Sequence, residues 1–139
     1  MIRQANTTDF ENIKKMFINF ANSAPVDYLH KPKYDNDYID QILYSITKQG
    51  ILLYAEHEGK PAGFFIAVPT PDLWLPELKP VMREAAWWVE PEYREGTLGG
   101  KLFFKYLSIA KAMKDAEKIF ARALKTHERR LKKYGKLGY

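Results

Sequence analysis

The residues of this chain whose types and spacing best suit a binding or catalytic role form a charged turn and a glycine-bearing loop. They lie within the segment Trp87-Trp88-Val89-Glu90-Pro91-Glu92-Tyr93-Arg94-Glu95-Gly96-Thr97-Leu98-Gly99-Gly100-Lys101-Leu102. The pattern predicts a strand, a loop and a helix in that order, which leaves free backbone N–H groups at the helix N-terminus. The helix dipole favours negative charge there, so the segment predicts a phosphate site. A loop with only a structural role has the same pattern, and that alternative stays open.

The composition is typical of one globular domain spanning residues 1–139. Apolar residues make up 46% of the chain and charged residues 28%. No apolar run reaches the roughly 18 residues that a membrane span needs, and the N-terminus has no signal-peptide pattern. We therefore expect a cytoplasmic protein without membrane attachment. The chain has no cysteine and only three scattered histidines, so we expect neither thiolate catalysis nor a metal site.

Positive charge is concentrated near the C-terminus. Residues 111–139 contain ten Lys and Arg against three Asp and Glu, whereas residues 1–110 contain twelve against fourteen. Such a region attracts phosphates, an acidic protein or a nucleic acid, and it is also typical of a solvated helix face. The residues that would track a nucleic acid are Lys125, Arg129, Arg130, Lys132, Lys133 and Lys136. No base-reading motif accompanies them, so nucleic acid is the least favoured partner.

Two helices are predicted after a short first strand over residues 2–5. Thr8 and Glu11 have the spacing of a capping box and predict the start of the first helix. The second helix is predicted over residues 35–48. Apolar residues recur at helical spacing in both. They are Phe10, Ile13, Met16, Phe17 and Phe20 in the first helix, and Tyr38, Ile39, Ile42, Leu43 and Ile46 in the second.

The rest of the chain predicts four strands and two more helices. Strands are predicted over residues 51–57, 62–68, 81–89 and 118–124, with the third in the centre of the sheet. Helices are predicted over residues 98–114 and 126–137. The order is β-α-α-β-β-β-α-β-α, which gives an α/β (α+β mixed) domain with a mixed sheet and helices on its faces.

This order resembles that of the GNAT N-acetyltransferases, and three motifs support the resemblance. The run Val89-Glu90-Pro91-Glu92-Tyr93-Arg94, followed by Gly96 and Gly99, is similar to motif A of that family, although Thr97 stands where the first motif glycine is usual. The start at residues 2–11 and the end at residues 131–139 resemble the family's opening and its late Leu-Tyr-x-x-Leu-Gly-Phe motif. The Gly-Thr-Leu-Gly form of the loop resembles small acetyltransferases of phages and prophages. The resemblance implies a mostly antiparallel sheet.

The resemblance also implies acetyl-CoA as co-substrate and an amine as acceptor, either a small molecule or a protein. Backbone amides of residues 95–100 would hold the pyrophosphate, and the Arg94 guanidinium would add a charged contact. Backbone groups near the end of the fourth strand would pair with pantetheine. The implied binding residues are Trp88, Val89, Arg94, Glu95, Gly96, Thr97, Leu98, Gly99 and Gly100. Trp87 and Trp88 should point to opposite faces of the sheet.

Two residues match catalytic positions of the family. Glu84 lies in an otherwise apolar strand and would act as the general base, directly or through water. Tyr134, four residues before Gly138, would act as the general acid toward the departing thiolate. Each also has a structural alternative. Glu84 would form an ion pair with Arg83 or a lysine, and Tyr134 would pack its helix against the sheet.

The end of the chain departs from the family pattern. Related chains continue with two more strands, whereas this sequence ends at Tyr139. An open sheet edge is normally covered. We therefore expect either a shortened variant or a homodimer in which the partner supplies the missing pairing. The alternative function is a GNAT-like module that binds CoA or a protein without turnover.

Overall fold

A computed structural model of the protein describes residues 1–23, 35–71 and 80–115. Four antiparallel strands form one sheet in the order β1-β2-β3-β4. The strands are β1 (Ile2–Gln4), β2 (Ile51–His57), β3 (Lys60–Thr70) and β4 (Val81–Val89). The helices are α1 (Phe10–Ser23), α2 (Asn36–Gln49) and α3 (Leu98–Asp115). The predicted order is confirmed from β1 to α3. The predicted strand 118–124 and helix 126–137 lie outside the described residues.

The sheet separates two apolar layers, because successive side chains of a strand point to opposite faces. One face packs against α3 and the other against α1 and α2. Trp87 packs on the α3 face, stacked on Phe103. Trp88 packs on the opposite face, where Phe20 of α1 meets its ring edge-on at 5.9 Å. The prediction that the two tryptophans face opposite ways is therefore confirmed.

The capping box before α1 lies two residues earlier than predicted. The side chain of Asn6 accepts the N–H of Thr8, and the carboxylate of Asp9 accepts the N–H of Asn6 at 2.9 Å. The Asp9 carboxylate is only 3% exposed and also accepts two hydrogen bonds from the Arg3 guanidinium of β1. These partners favour Asp9 over Glu11 as the acidic member of the box, so the Thr8–Glu11 prediction is wrong.

Helices α1 and α2 are joined by an ion pair around a buried lysine. Lys14 of α1 is only 6% exposed, and its ammonium lies 2.6 Å from the carboxylate of Glu11 and 2.9 Å from that of Asp40 of α2. A buried ammonium is stable only with such partners. The contact with Asp40 therefore links α1 to α2 beside their apolar packing.

The predicted apolar stripe of α2 is buried only in part. Leu43 and Ile46 pack in the core, whereas Tyr38 and Ile42 are exposed. The latter two line an apolar groove of about 440 Å³ between α1 and α2. Among the helices of the described part of the chain, none is long and apolar enough to cross a bilayer.

We expect Asp9→Asn to lower the free energy of unfolding at neutral pH by about 1–3 kcal/mol, because Arg3 loses a buried anionic partner. Burial alone would raise the pKa of Asp9, but hydrogen bonds from Arg3 and the Asn6 N–H outweigh it and hold the pKa below its ordinary value. The stability from this group is therefore fully present above about pH 4 and lost as the pH falls through the depressed pKa.

Urea unfolding of wild type and variant at neutral pH and at about pH 3 measures this effect. The difference in stability should narrow at the lower pH. Glu95→Gln removes an exposed carboxylate of the loop before α3 and serves as the control, with an expected change below about 0.5 kcal/mol. If Asp9→Asn lowered the free energy of unfolding equally at both pH values, the result would contradict a stabilising role of the ionised Asp9 carboxylate.

Candidate functional site

The connection between β4 and α3 brings backbone amides to the end of the sheet. After β4, one turn of 3-10 helix (Pro91–Tyr93) leads to the start of α3. The N–H of Lys101 donates to the carbonyl of Thr97 at 3.0 Å, which is a first-turn bond of the helix. The amides of residues 98–100 precede it and so have no acceptor within the helix. These donors coincide with the positive end of the helix dipole.

The loop before α3 needs no glycine for backbone conformation. Among the described residues, only Glu58 and Gly59 have a positive φ. Thr97 therefore stands without backbone strain where the family motif usually has glycine. The N–H of Gly96 donates to the carbonyl of Tyr93 at 3.4 Å, so this amide is already engaged in the turn.

The side chain of Arg94 folds back onto β4. Its Nε donates to the carbonyl of Val89 at 2.8 Å, and its guanidinium carbon lies 4.3 Å from the centroid of the Trp88 ring. Both contacts are made to the strand that precedes the loop. Arg94 therefore ties the loop to the end of β4, a role that the motif alone does not indicate.

The register of β3 and β4 decides which backbone groups of β4 face outward. The N–H of Glu90 donates to the carbonyl of Ala62 at 2.8 Å, which makes Val89 and Gly63 a non-hydrogen-bonded pair. The backbone groups of Val89 therefore point away from β3, and those of Trp88 point toward it. Of the two strand residues expected to offer backbone groups to a ligand, only Val89 presents them on the outer edge.

Trp88 contributes its indole ring on the α1 face. The ring is only 7% exposed, and the structure shows no hydrogen-bond partner for its Nε1 within the described part of the chain. A buried donor without an acceptor costs about 1–3 kcal/mol. The indole therefore contributes apolar packing on this face and not a hydrogen bond to the described residues.

Glu84 lies beside an irregularity of β4. Ala86 and Glu84 pair with two consecutive residues of β3, so Ala85 is the extra residue of a β-bulge. Without the bulge, Glu84 would share the α1 face with Ala86. The bulge instead places it opposite Ala67 on the face that α3 covers, where it is partly buried. Tyr134, the predicted general acid, lies outside the described residues.

Gly63 allows β4 and α3 to approach β3 closely. A Cβ atom at this position would lie 2.6 Å from the carbonyl oxygen of Trp88 and 3.2 Å from Cδ1 of Leu102 in α3. Both contacts are too short for ordinary packing. Neither this requirement nor the bulge has a signal in the sequence, because each depends on which residues stand opposite.

A cleft of about 600 Å³ lies on the β1 side of the loop. Its lining includes Met1, Glu56, His57, Tyr93, Thr97 and Lys101. The rings of His57 and Tyr93 lie 5.0 Å apart across it. Charges of both signs line the cleft, so it does not select an anion by charge alone. Among residues 1–23, 35–71 and 80–115, no group of three His, Asp or Glu side chains is placed to hold a metal.

Comparison with known proteins gives one family and a set of related folds. The family model described as "Acetyltransferase (GNAT) family" matches residues 14–139. The ribosomal-protein-alanine N-acetyltransferase of Brucella melitensis has a similar structure, with a TM-score of 0.65 and 18% identity over 85% of this chain and 69% of that one. Comparison with curated protein sequences gives no match.

Two similar structures contain acetyl-CoA. One is yncA of Salmonella typhimurium, with a TM-score of 0.64 and 17% identity over 81% of this chain and 63% of that one. The other is a phosphinothricin acetyltransferase of Sinorhizobium meliloti, with a TM-score of 0.65 and 17% identity over 81% of this chain and 60% of that one. At these identities, the similarity concerns the fold.

We expect Gly63→Ala to lower the free energy of unfolding by about 1–3 kcal/mol, because the new methyl group forces β4 or α3 to move. Gly96→Ala is the matched control. A Cβ atom there would have its nearest contact, with the carbonyl oxygen of Tyr93, at an ordinary 3.7 Å. Thermal and urea unfolding should separate the two variants clearly. Equal stability of both would contradict the close approach at Gly63.

Proposed function

The chain belongs to the GNAT acetyltransferase family, and on that basis we propose that it is an acetyl-CoA-dependent N-acetyltransferase acting on a primary amine. The observation that carries the proposal is the group of amides at the start of α3 that have no acceptor within the helix, next to the outward-facing end of β4. Amides at a helix N-terminus suit a pyrophosphate, and outward-pointing backbone groups of a strand suit an amide-containing arm. Acetyl-CoA combines both groups.

In this proposal the amides of residues 98–100 hold the pyrophosphate, and the exposed Lys101 adds positive charge on the first turn of α3. The pantetheine arm then runs along the outer edge of β4, where the N–H of Val89 donates to one of its carbonyl groups. The thioester is carried toward Glu84. The β3 partners of Val89 and Glu84 are Gly63 and Ala67, which lie four residues apart, a distance of roughly 13 Å along an extended strand. The acetyl-CoA bound in two similar structures supports this choice of co-substrate.

Acetyl transfer requires a neutral amine and a protonated leaving group. The amine nitrogen attacks the thioester carbonyl carbon, the C–N bond forms and the C–S bond breaks. Glu84 takes the proton that the attacking nitrogen loses, directly or through water. Tyr134 gives a proton to the CoA thiolate. The products are an N-acetyl amine and free CoA.

The acceptor is proposed only as a primary amine. The relative from Brucella melitensis is named for acetylating alanine of a ribosomal protein, so an N-terminal alanine is one amine to test. A small-molecule amine is the other class.

We expect Gly99→Glu to weaken acetyl-CoA binding at least tenfold more than Gly99→Gln does. The two side chains have the same size, but only the carboxylate repels a pyrophosphate at the N-terminus of α3. A carboxylate in the first turn favours the helix itself, so a loss of folding is not the expected cause. Calorimetric titration with acetyl-CoA at about 50 and 300 mM salt measures the difference, which should shrink at higher salt. Equal affinities of the two variants would place the pyrophosphate elsewhere.

We expect Glu84→Gln to reduce kcat by about 10²–10⁴-fold while the Kd for acetyl-CoA stays within about twofold of wild type, because the general base acts only in the chemical step. Arg83→Gln is the matched control on the adjacent, exposed position and should retain turnover. CoA release is assayed with peptides bearing an N-terminal alanine, lysine peptides and small amines. Full turnover by Glu84→Gln would exclude Glu84 as the base. A wild-type protein that binds acetyl-CoA but releases no CoA with any amine would instead favour a binding module.

A further inference from the structure

Arg94 makes two contacts that depend on the shape of its guanidinium group. Its Nε donates to the Val89 carbonyl at 2.8 Å, and its guanidinium carbon lies over the Trp88 ring, 4.3 Å from the ring centroid. A planar group can donate in its plane and stack through its face at once, whereas a lysine ammonium cannot do both. The two contacts therefore depend on the planar shape of the guanidinium and not only on its positive charge.

The contact with Val89 also occupies a group on the outer edge of β4. The carbonyl of Val89 points away from β3, into the space where a ligand would pair with the strand. Arg94 donates to this carbonyl and occupies one of its two lone pairs, so the Val89 N–H is the group of that residue bonded neither to Arg94 nor to β3. A ligand that bonds to this N–H offers a hydrogen-bond acceptor.

We propose that Arg94 is a positioning residue for acetyl-CoA and not a contact to its phosphates. By tying residues 90–97 to the end of β4, it fixes the distance between the amides of α3 and the strand edge, the two places that one ligand must reach together. This inference rests on the proposed function. The resemblance to the family motif implies that Arg94 contacts a phosphate through its charge, and the positioning role takes the place of that expectation.

The two roles differ in what a lysine can replace. A phosphate contact depends mainly on positive charge, so Arg94→Lys would keep most of the affinity and Arg94→Met would lose it. A positioning role depends on the planar guanidinium, so both variants would lose affinity alike. Loss of a phosphate contact would also reduce the dependence of binding on salt, whereas loss of positioning would not.

The test is calorimetric titration of wild type, Arg94→Lys and Arg94→Met with acetyl-CoA at about 50 and 300 mM salt. We expect the Kd to rise about tenfold in both variants, with the same salt dependence as wild type. Arg83→Lys changes an exposed arginine of β4 in the same way, and this control variant should bind as wild type does. A near wild-type Kd for Arg94→Lys with a weaker, less salt-dependent Arg94→Met would overturn the proposal. Wild-type affinity in both Arg94 variants would overturn it as well.

Hydrogen–deuterium exchange of the unliganded proteins keeps this inference separate from the proposed function. We expect the amides of residues 94–98 to exchange faster in both Arg94 variants, while the amides of β2 and β3 exchange as in wild type. Unchanged exchange in the loop would overturn the positioning role. If wild type does not bind acetyl-CoA, the proposed function fails, and faster exchange in the loop would still show that Arg94 holds it to β4.

Discussion

Aromatic stacking between α3 and the sheet is the interaction on which the site depends. The ring of Phe65 stacks on Tyr106 with centroids 4.6 Å apart, and Trp87 stacks on Phe103 at 5.2 Å. Large rings in a close-packed interior leave little freedom to slide, so these contacts fix where α3 crosses the strands. Burial raises the pKa of Tyr106, which keeps its phenol neutral in the core. The donors at the start of α3 are therefore placed by the core, and the loop only has to connect to them.

Two further contacts, one on each face of the sheet, hold the end of β4 in place beside α3 and the loop. Gly63 lets the helix and β4 come close on the α3 face, where any side chain would meet the Trp88 carbonyl. Arg94 reaches over the outer edge and covers the Trp88 ring on the other face. Since both contacts involve Trp88, this residue links the two faces of the sheet at the site. Its backbone pairs with β3 in the sheet, and its side chain contacts Arg94 of the loop.

Hydrophobic periodicity predicted most of the fold because it records which side of each element is buried. The bounds of β4 were predicted as observed, and α3 extends one residue beyond its prediction. The features that were missed depend on partners distant in sequence. The capping box moves to Asp9 because Arg3 reaches that carboxylate from β1. Gly63 and the bulge at Ala85 are defined only by what the neighbouring strand places opposite. The motif predicted where Arg94 lies in the loop but not that it turns back to the strand.

The bulge in β4 also limits what can pair along the edge of this strand that faces away from β3. Outward-facing N–H and C=O groups of a regular strand repeat every second residue, and the extra Ala85 shifts that repeat by one position. A regular strand laid along this edge can thus stay in phase with Val81–Glu84 or with Ala86–Val89, but not with both. The number of residues in β4 therefore limits the length over which a regular strand can pair with this edge, independently of any ligand.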